Sequence, residues 1–490
     1  MHLRVHRAVV AALAVAAMAL VAVPALAQVS SDWSQFQGDA AHTGFSPNGP
    51  QPPFELLWHA PVEPGGPLGT QGLSAPVVSG DLVIAVAAEE VLAFDLATGA
   101  QAWSVPRTLG PPAQPAVALV AGRPVLLYTE GWAGHPPQAG ATGATGPAST
   151  PSPSPGAGGT TGPVDSRLVA IDPETRDQVW EPVELTEVSG AGVTVDGERA
   201  YVADSNGQVF AVDASTGEVE WSESIGRPVD APPAVAGGAV VVTGRGTAAS
   251  PAASIVAFKA ADGSPRWRQV VDSPAILSPS APAIAGDTAL VTFSDGTVRA
   301  YDLDSGTERW SSRPGATPTP TGSAAALFDG AAFVTDTTAI TGSVYRIDTS
   351  SGSVVWDFAV NEPIIQGAPV VSSGSVLVAT TDGSLNAFDP ESGERIWRDD
   401  RVGALHAITP AGSVLVAVRS RPRAGLDAFG PDPEGGLIRE VSPTTPEYPR
   451  IVGTFAIVAL PLTGLALVIG RLLTARMAAF EDEADSEDER

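Results

Sequence analysis

The chain has 490 residues, a formal net charge of −27 and no cysteine. An acid excess of this size argues against nucleic-acid binding, because phosphate neutralisation requires clusters of lysine and arginine. The absence of cysteine excludes disulfides, thiolate metal ligands, a cysteine nucleophile and the lipidated cysteine of a lipoprotein anchor.

The N-terminus has the pattern of a secretory signal peptide over residues 1–27. A short basic start precedes the apolar run Ala8–Val23, and Ala25-Leu26-Ala27 gives the small-x-small pattern of a cleavage site. We therefore expect cleavage between Ala27 and Gln28. The alternative is an uncleaved anchor, because the apolar run is nearly long enough to span a bilayer. Residues 28–53 form a lead-in to the first repeat.

The middle of the chain repeats one pattern, Ala-x-Asp-x-x-Thr/Ser-Gly-x-x-x-Trp. Four copies are complete: Ala93–Trp103, Ala211–Trp221, Ala300–Trp310 and Ala387–Trp397. Three copies keep the frame with substitutions: Ala170–Trp180, Ala257–Trp267 and Arg346–Trp356. The first of these has Arg176 in place of the glycine, and an eighth copy near Leu426 lacks the tryptophan. A recurrence every ~40–50 residues indicates a propeller or a solenoid.

The repeat can be understood as two strands joined by a tight turn. The aspartate and the hydroxyl side chain can accept hydrogen bonds from backbone N–H groups, and glycine supplies a positive φ. The turn glycines are Gly99, Gly217, Gly263, Gly306, Gly352 and Gly393. An apolar hairpin such as Ala75–Val86 precedes each copy, so each repeat contains four strands.

Counting these strands predicts how the ring closes. Eight hairpins and eight third strands are present. Only seven of the third strands are followed by a fourth strand that contains a tryptophan, namely Trp103, Trp180, Trp221, Trp267, Trp310, Trp356 and Trp397. The segment Phe54–Val62 holds Trp58 and has no strands before it. We therefore predict an all-β, eight-bladed β-propeller over residues 54–429, closed by this N-terminal strand. Leu437–Val441 is a rival closing strand without tryptophan.

These residues resemble the pyrroloquinoline-quinone (PQQ) repeat of quinoprotein propellers. The resemblance covers Trp33–Phe429, and Asp32–Gly44 is similar to the segment that opens many such domains. It implies that each tryptophan, Trp58 included, stacks on the glycine turn of the neighbouring blade. A ladder of sugar-binding aromatics is the alternative role. The match is closer to the non-enzymatic BamB-like branch than to the dehydrogenases, but this chain has no lipidated cysteine and has a C-terminal apolar segment.

The sequence provides no catalytic, cofactor-binding or metal-binding constellation. Quinoprotein dehydrogenases carry an adjacent cysteine pair and a calcium site, and no position here can be matched to either. Asp302–Glu308 imitates a calcium loop but lies in the repeat turn, without the full ligand frame. Asn206 belongs to a hairpin turn. The histidines outside the signal peptide, at 42, 59, 135 and 406, have no zinc spacing.

Three further segments depart from the repeat. Residues 133–163 form a low-complexity Gly/Ala/Thr and Ser/Pro insertion in the second blade, which predicts a flexible loop. Residues 430–450 are a proline-rich spacer. Residues 451–473 are long and apolar enough for a transmembrane helix, and Arg471 and Arg476 place the acidic tail 474–490 in the cytoplasm.

The sequence therefore predicts a single-pass protein of the cytoplasmic membrane with an extracytoplasmic propeller. The favoured function is a protein-interaction or scaffolding module of the bacterial envelope, with an envelope or membrane protein as partner and no cofactor. The alternatives are a small-ligand or carbohydrate sensor and a PQQ-dependent dehydrogenase.

Overall fold

The computed structural model describes residues 33–62, 72–131, 166–315, 323–337, 341–360, 363–364, 367–381, 383–400, 404–421 and 424–432. Within these ranges, no helix is long and apolar enough to cross a membrane. The predicted signal peptide, the low-complexity insertion, the transmembrane segment and the acidic tail lie outside the described residues, and so do the last residues of the spacer.

The described residues form eight sheets, which confirms the all-β, eight-bladed propeller. Two short elements, the 3-10 turn Phe36–Gly38 and β1 (Phe45–Ser46), precede β2 (Phe54–Pro61). Blades 1 to 4 are then β3 (Val77–Ser79), β4 (Leu82–Val86), β5 (Glu90–Asp95) and β6 (Gln101–Pro106); β7 (Ala116–Val120), β8 (Arg123–Glu130), β9 (Arg167–Ile171) and β10 (Val183–Glu184); β11 (Val193–Asp196), β12 (Arg199–Ala203), β13 (Gln208–Asp213) and β14 (Val219–Ser224); β15 (Ala234–Ala236), β16 (Ala239–Gly244), β17 (Ala253–Lys259) and β18 (Pro265–Val271).

The remaining blades follow the same order. Blades 5 to 8 are β19 (Ala283–Ala285), β20 (Thr288–Thr292), β21 (Val298–Asp302) and β22 (Glu308–Ser312); β23 (Ala326–Phe328), β24 (Ala331–Thr337), β25 (Gly342–Asp348) and β26 (Val354–Ala359); β27 (Val370–Ser372), β28 (Ser375–Ala379), β29 (Leu385–Phe388) and β30 (Arg395–Asp399); β31 (Ala404–Ala411), β32 (Val414–Arg421) and β33 (Gly425–Pro431). Blade 7 gains β1 as a fifth strand, parallel to β27.

The ring closes through β2, as the strand count predicts. This strand is the outermost member of blade 8 and pairs antiparallel with β33, with Trp58 opposite Ala428. A charged group is buried in the same pairing: Asp427 accepts hydrogen bonds from His59 Nδ1 and Arg419 Nε, both at 2.6 Å. A strand from the N-terminal part of the described chain, β2, therefore shares one sheet with the last described strand, β33.

The hydrophobic core is divided among the spaces between blades. Middle strands such as β16 are buried on both faces, because each face packs against another blade, whereas outer strands such as β6 alternate with solvent. Eight apolar clusters result, each drawn mainly from two neighbouring blades. Hydrogen bonds from hydroxyl groups also link neighbouring blades. Thr243 Oγ1 of blade 4, for example, donates to the carbonyl of Ser280 at the entry to blade 5.

The meander fixes two faces of the ring. We name the upper face as the one with the loops that enter each blade and that join its second and third strands. The lower face carries the turns that join first to second and third to fourth strands, because alternate connections of an antiparallel meander lie at the same end. The chain leaves β33 on the lower face, next to the start of β2.

Candidate functional site

Six tryptophans lie against a glycine turn of the following blade. A Cβ atom added to any of the six turn glycines would come within 2.5–2.7 Å of the ring: Gly99 against Trp58, Gly217 against Trp180, Gly263 against Trp221, Gly306 against Trp267, Gly352 against Trp310 and Gly393 against Trp356. In every case the indole Nε1 donates to the carbonyl three residues before the glycine, at 2.8–3.1 Å. One face of each of these six rings is therefore packed against a turn of the protein itself.

Trp103 and Trp397 depart from this pattern for different reasons. Arg176 replaces the glycine that Trp103 would meet; it keeps the positive φ of 67°, and its exposed side chain donates from Nε to the carbonyl of Thr175. Within the described residues, Trp103 Nε1 has no hydrogen-bond partner. Trp397 packs against blade 8, whose copy of the repeat has Gly430 in place of the aspartate and Glu434 in place of the glycine, and its ring lies edge-on to Phe54 at 5.2 Å between ring centroids.

Polar bonds join blades 1 and 2 where the stacking is missing. Arg107, at the end of blade 1, is buried and donates to the carbonyls of Ala88 (3.2 Å) and Pro111 (2.7 Å) and to that of Thr129 in blade 2 (2.5 Å). Burial lowers the pKa of Arg107 to about 10, so the guanidinium remains charged at neutral pH. Arg167 and Glu130 form an ion pair at 2.7 Å where the insertion leaves and re-enters blade 2.

The N-terminal lead-in fills the central channel, which the sequence did not predict. Residues 33–46 cross seven blades and bond to the backbone of their innermost strands. Six of these contacts are backbone hydrogen bonds at 2.6–2.9 Å, to the N–H groups of Val78, Val117, Val235, Ile284, Leu327 and Val371. In the seventh, the side-chain amide of Gln35 exchanges two hydrogen bonds with Val195, at 2.7 and 3.0 Å. We call residues 33–46 the plug.

His42 lies at the centre of the plug and bonds to both sides of the channel. Its Nδ1 is 2.9 Å from the carbonyl of Pro282 and therefore carries the proton, since a carbonyl can only accept. Nε2 then accepts from Thr194 Oγ1 at 3.1 Å. Phe36 packs edge-on against the ring at 4.9 Å. Complete burial lowers the pKa of His42 to about 4, so the imidazole is neutral at physiological pH.

A funnel opens above the plug on the upper face. The cavity has a volume of about 310 Å³. Phe36 of the plug contributes to its lining, and the walls include Asp230, Thr243, Arg245 and Ser278. Arg245 forms an ion pair with Asp230, so its charge is already balanced. The funnel can therefore offer a ligand hydroxyl groups, the Arg245–Asp230 ion pair and the aromatic ring of Phe36.

The described part of this lining does not fit a quinone cofactor with its calcium ion. PQQ is a tricarboxylate, yet Arg245, which is paired with Asp230, is the only cationic side chain among the described lining residues. Throughout the described ranges, no group of three or more histidine, aspartate or glutamate side chains could hold a metal. The calcium-like turn is occupied by its own chain, because Asp302 accepts from Ser305 and Arg309, which hold the pKa of its carboxyl well below the usual range.

Two other polar positions have structural partners. Asp204 is fully buried and accepts hydrogen bonds from the backbone of Asn206 and Gln208 and from Thr186 and Glu187. The turn at Asn206 is therefore the hairpin that the sequence predicts. His59 belongs to the charged group at the ring closure, and His135 lies outside the described residues.

Eight blades and their docked tryptophans define the class of the protein as a tryptophan-docked β-propeller. A family model described as "Outer membrane protein assembly factor BamB" matches residues 55–135, 164–319 and 294–438. Together these ranges cover well over half of the chain, and the protein belongs to this PQQ-like repeat family, in its BamB-like branch.

Individual relatives support the same fold. The outer membrane protein assembly factor BamB of Yersinia pestis is 24% identical over 261 residues, which are 50% of this chain and 55% of the relative. The chain spans about half the length of the curated relatives it matches. BamB from Moraxella catarrhalis superposes with a TM-score of 0.53 at 15% identity, covering 77% of this chain and all of the other.

An enzyme shares the architecture. Quinohemoprotein alcohol dehydrogenase from Comamonas testosteroni superposes with a TM-score of 0.59 at 16% identity, covering 84% of this chain and 82% of the other. Since an assembly factor and a dehydrogenase both match, structural likeness shows the fold alone. The description of the family that the chain belongs to is that of an assembly factor and not of an enzyme.

Proposed function

We propose that this protein is a protein-interaction module of the bacterial cell envelope. The observation that carries the proposal is the filled channel: the plug bonds to seven blades, and among the described residues that line the funnel above it the cationic side chain, Arg245, is already paired with Asp230. Loops carried on a scaffold of packed blades suit protein recognition. The relatives named as outer membrane protein assembly factors support a partner among envelope proteins.

The proposed location is the outer side of the cytoplasmic membrane. The support comes from the sequence: cleavage between Ala27 and Gln28, a helix over residues 451–473, and Arg471 and Arg476 on its far side. The proposed domains are therefore the lead-in 28–53, the propeller 54–429, the spacer 430–450, the helix and a cytoplasmic tail 474–490.

Protease treatment of spheroplasts tests this topology. A tag on the tail should survive on a small membrane-bound fragment, because the propeller is digested outside and the tail is shielded inside. After detergent lysis the tag should disappear. A tag that is lost before lysis, or a propeller that is protected, would contradict the topology.

Crosslinking in membranes tests the interaction role. The full chain, tagged on the tail, should capture a defined envelope protein, and the crosslinked peptides should map to the propeller. A version in which the tag and residues 430–490 are fused to an unrelated exported domain is the control. Recovery of the same proteins with the control, or of no protein, would argue against the interaction module.

Small-ligand binding is a second candidate, which the funnel of about 310 Å³ favours. Melting curves with sugars and small organic acids test it: a rise in melting temperature that is lost in the Phe36→Ala variant would support a ligand site. Addition of PQQ and calcium with a dye-linked oxidation assay tests the dehydrogenase alternative, and turnover would contradict the interaction role.

A further inference from the structure

One hairpin on the lower face is longer than its counterparts in the other blades that bond to the plug. In six of these seven blades a single residue separates the plug-bonded residue from a two-residue turn: Ser79, Asp196, Ala236, Ala285, Phe328 and Ser372. In blade 2 three residues separate them, Ala118, Leu119 and Val120. The two additional residues on each strand carry the turn of blade 2 about 7 Å further from the ring.

The tip of this hairpin is apolar, and its backbone is held in place. Leu119 is 60% exposed, more than any other large hydrophobic side chain of the described residues. Val120 packs against the apolar cluster that blades 2 and 3 share, and the N–H of Ala121 donates to Glu198 Oε1 of blade 3 at 3.1 Å. A single exposed leucine is common on protein surfaces. A leucine on a protruding and anchored hairpin, in contrast, is already fixed for insertion into a partner.

The surroundings of the tip are acidic. Exposed carboxylates lie in the turns on either side, Asp81 in blade 1 and Asp196 and Glu198 in blade 3, and the cation among them is Arg123 at the tip. Within the described part of the chain, none of these four side chains forms an ion pair. The docking turns of the same three blades add further aspartates on this face: Asp95, Asp172 and Asp213.

This charge selects among the possible occupants of the tip. A bilayer surface rich in anionic lipids would be repelled by the carboxylates. A second copy that docked through the same face would bring the acidic turns of both copies together. A protein surface with lysine and arginine side chains around an apolar pocket is attracted instead, and it can cover Leu119.

We propose that the blade 2 hairpin is the anchor of a protein interface, with Leu119 inserted into an apolar pocket of an envelope protein and basic side chains around that pocket. The inference rests on the proposed interaction function and deepens it, because it assigns the contact to the lower face and gives the chemistry of the partner.

Photocrosslinking in membranes tests the contact. In the full chain, p-benzoylphenylalanine replaces Arg123, which is exposed and follows the turn at the tip. The adduct should contain one defined envelope protein, and its yield should fall as the salt concentration rises from about 0.05 to 0.5 M, because the interacting charges are exposed. The control carries the same crosslinker in place of Ile276, which is 51% exposed on the upper face, and it should not give that adduct.

Two pairs of variants, made in the chain with the crosslinker at position 123, test the side chains that carry the contact. Leu119→Ser should lower the adduct yield at least about fivefold, whereas Ile276→Ser should leave it unchanged. Asp196→Lys should lower it through repulsion of the basic partner, whereas Asp272→Lys makes the same change of charge on the upper face and should not. All four residues are exposed, so the melting temperature of each variant should match that of the parent chain.

Other outcomes would overturn the proposal. An equal yield with Leu119→Ser would mean that the leucine is not the anchor. A phospholipid adduct would assign the tip to the bilayer surface, and an adduct of twice the chain mass would assign it to a second copy. If the crosslinker at 276 captures an envelope protein and the one at 123 captures none, the interaction function stands and the hairpin is not its surface. If neither captures a protein, both the hairpin contact and the interaction function are contradicted.

Discussion

At the residue scale, the plug makes stability depend on pH through His42. Its pKa is about 4 in the folded protein and about 6.5 in the unfolded chain, where it is free. Above pH ~6.5 both states are neutral and His42 adds no pH dependence. Between pH ~6.5 and ~4 only the unfolded chain takes up the proton, so the free energy of unfolding should fall by up to about 3 kcal/mol.

Urea unfolding of the wild type and of His42→Gln, measured from pH 7.5 to 4.5, checks this. The glutamine keeps a polar group in the channel but does not titrate, so the difference in stability between the two proteins should shrink as the pH falls. Burial raises the pKa of Asp39, which acts in the opposite sense, but both proteins contain Asp39 and its effect cancels. A constant difference across this range would contradict the assignment.

Glycine is required in the docking turns because the tryptophan ring occupies the space of a side chain. Gly306→Ala would place a Cβ 2.5 Å from the ring of Trp267, and φ is +71°. Gly286 is a control with φ of +59°, where an added Cβ would have no described atom within 4 Å apart from its chain neighbours. Both substitutions carry the strain of a positive φ, about 1 kcal/mol, but Gly306→Ala should cost about 1–3 kcal/mol more through overpacking. Equal losses in urea unfolding would argue against stacking as the reason for the glycine.

At the scale of elements, the blade 2 copy of the repeat, which has Arg176 in place of the turn glycine, identifies a position where a substitution can raise stability. Arg176 keeps a left-handed φ without the freedom of glycine, and Trp103 Nε1 of the preceding blade has no hydrogen-bond partner among the described residues. Arg176→Gly should stabilise the protein by about 1 kcal/mol or more, because it removes the strain and admits the ring to the turn. Thermal unfolding measures the change. Arg123→Gly, at the start of β8 in the same blade, is the control and should not stabilise; a loss of stability in Arg176→Gly would contradict the prediction.

The blades could be predicted from the sequence because each repeats the same local physics. Alternating apolar residues, the Asp-to-Gly turn and the tryptophan recur in register, and the strand count requires Trp58 to close the ring. The plug could not be predicted in this way. Residues 33–46 have no period, and most of their bonds use backbone carbonyls, which every residue carries. The pairing of His59 with Asp427 was hidden for another reason: 368 positions separate them, and only the closed ring brings them together.

At the scale of the whole molecule, the N-terminus holds the ring together twice. The plug bonds to seven blades from inside the channel, and β2 completes blade 8 from outside. The eight apolar clusters couple each blade to two others, so no blade has an independent core. A propeller built in this way should unfold in one cooperative step, and opening should begin where the chain ends meet.

The buried charges at that junction test where the ring opens. Asp427 is fully buried and accepts from His59 and Arg419; burial raises its pKa, and the two basic partners oppose that effect. Asp427→Ala leaves Arg419 without its partner in the closing sheet, so the loss should be about 3–5 kcal/mol. Asp304→Ala breaks a surface ion pair whose carboxylate is 88% exposed, and it should cost at most about 1 kcal/mol.

Hydrogen exchange resolves the site of the loss as well as its size. In Asp427→Ala the peptides of β2, β32 and β33 should exchange faster than those of blade 4, because the closing pairing opens before the remaining blades separate. In Asp304→Ala all peptides should exchange as in the wild type. Uniform acceleration across the blades in Asp427→Ala would mean that the ring opens only on global unfolding, and that the junction is no weaker than the docked interfaces on either side of it.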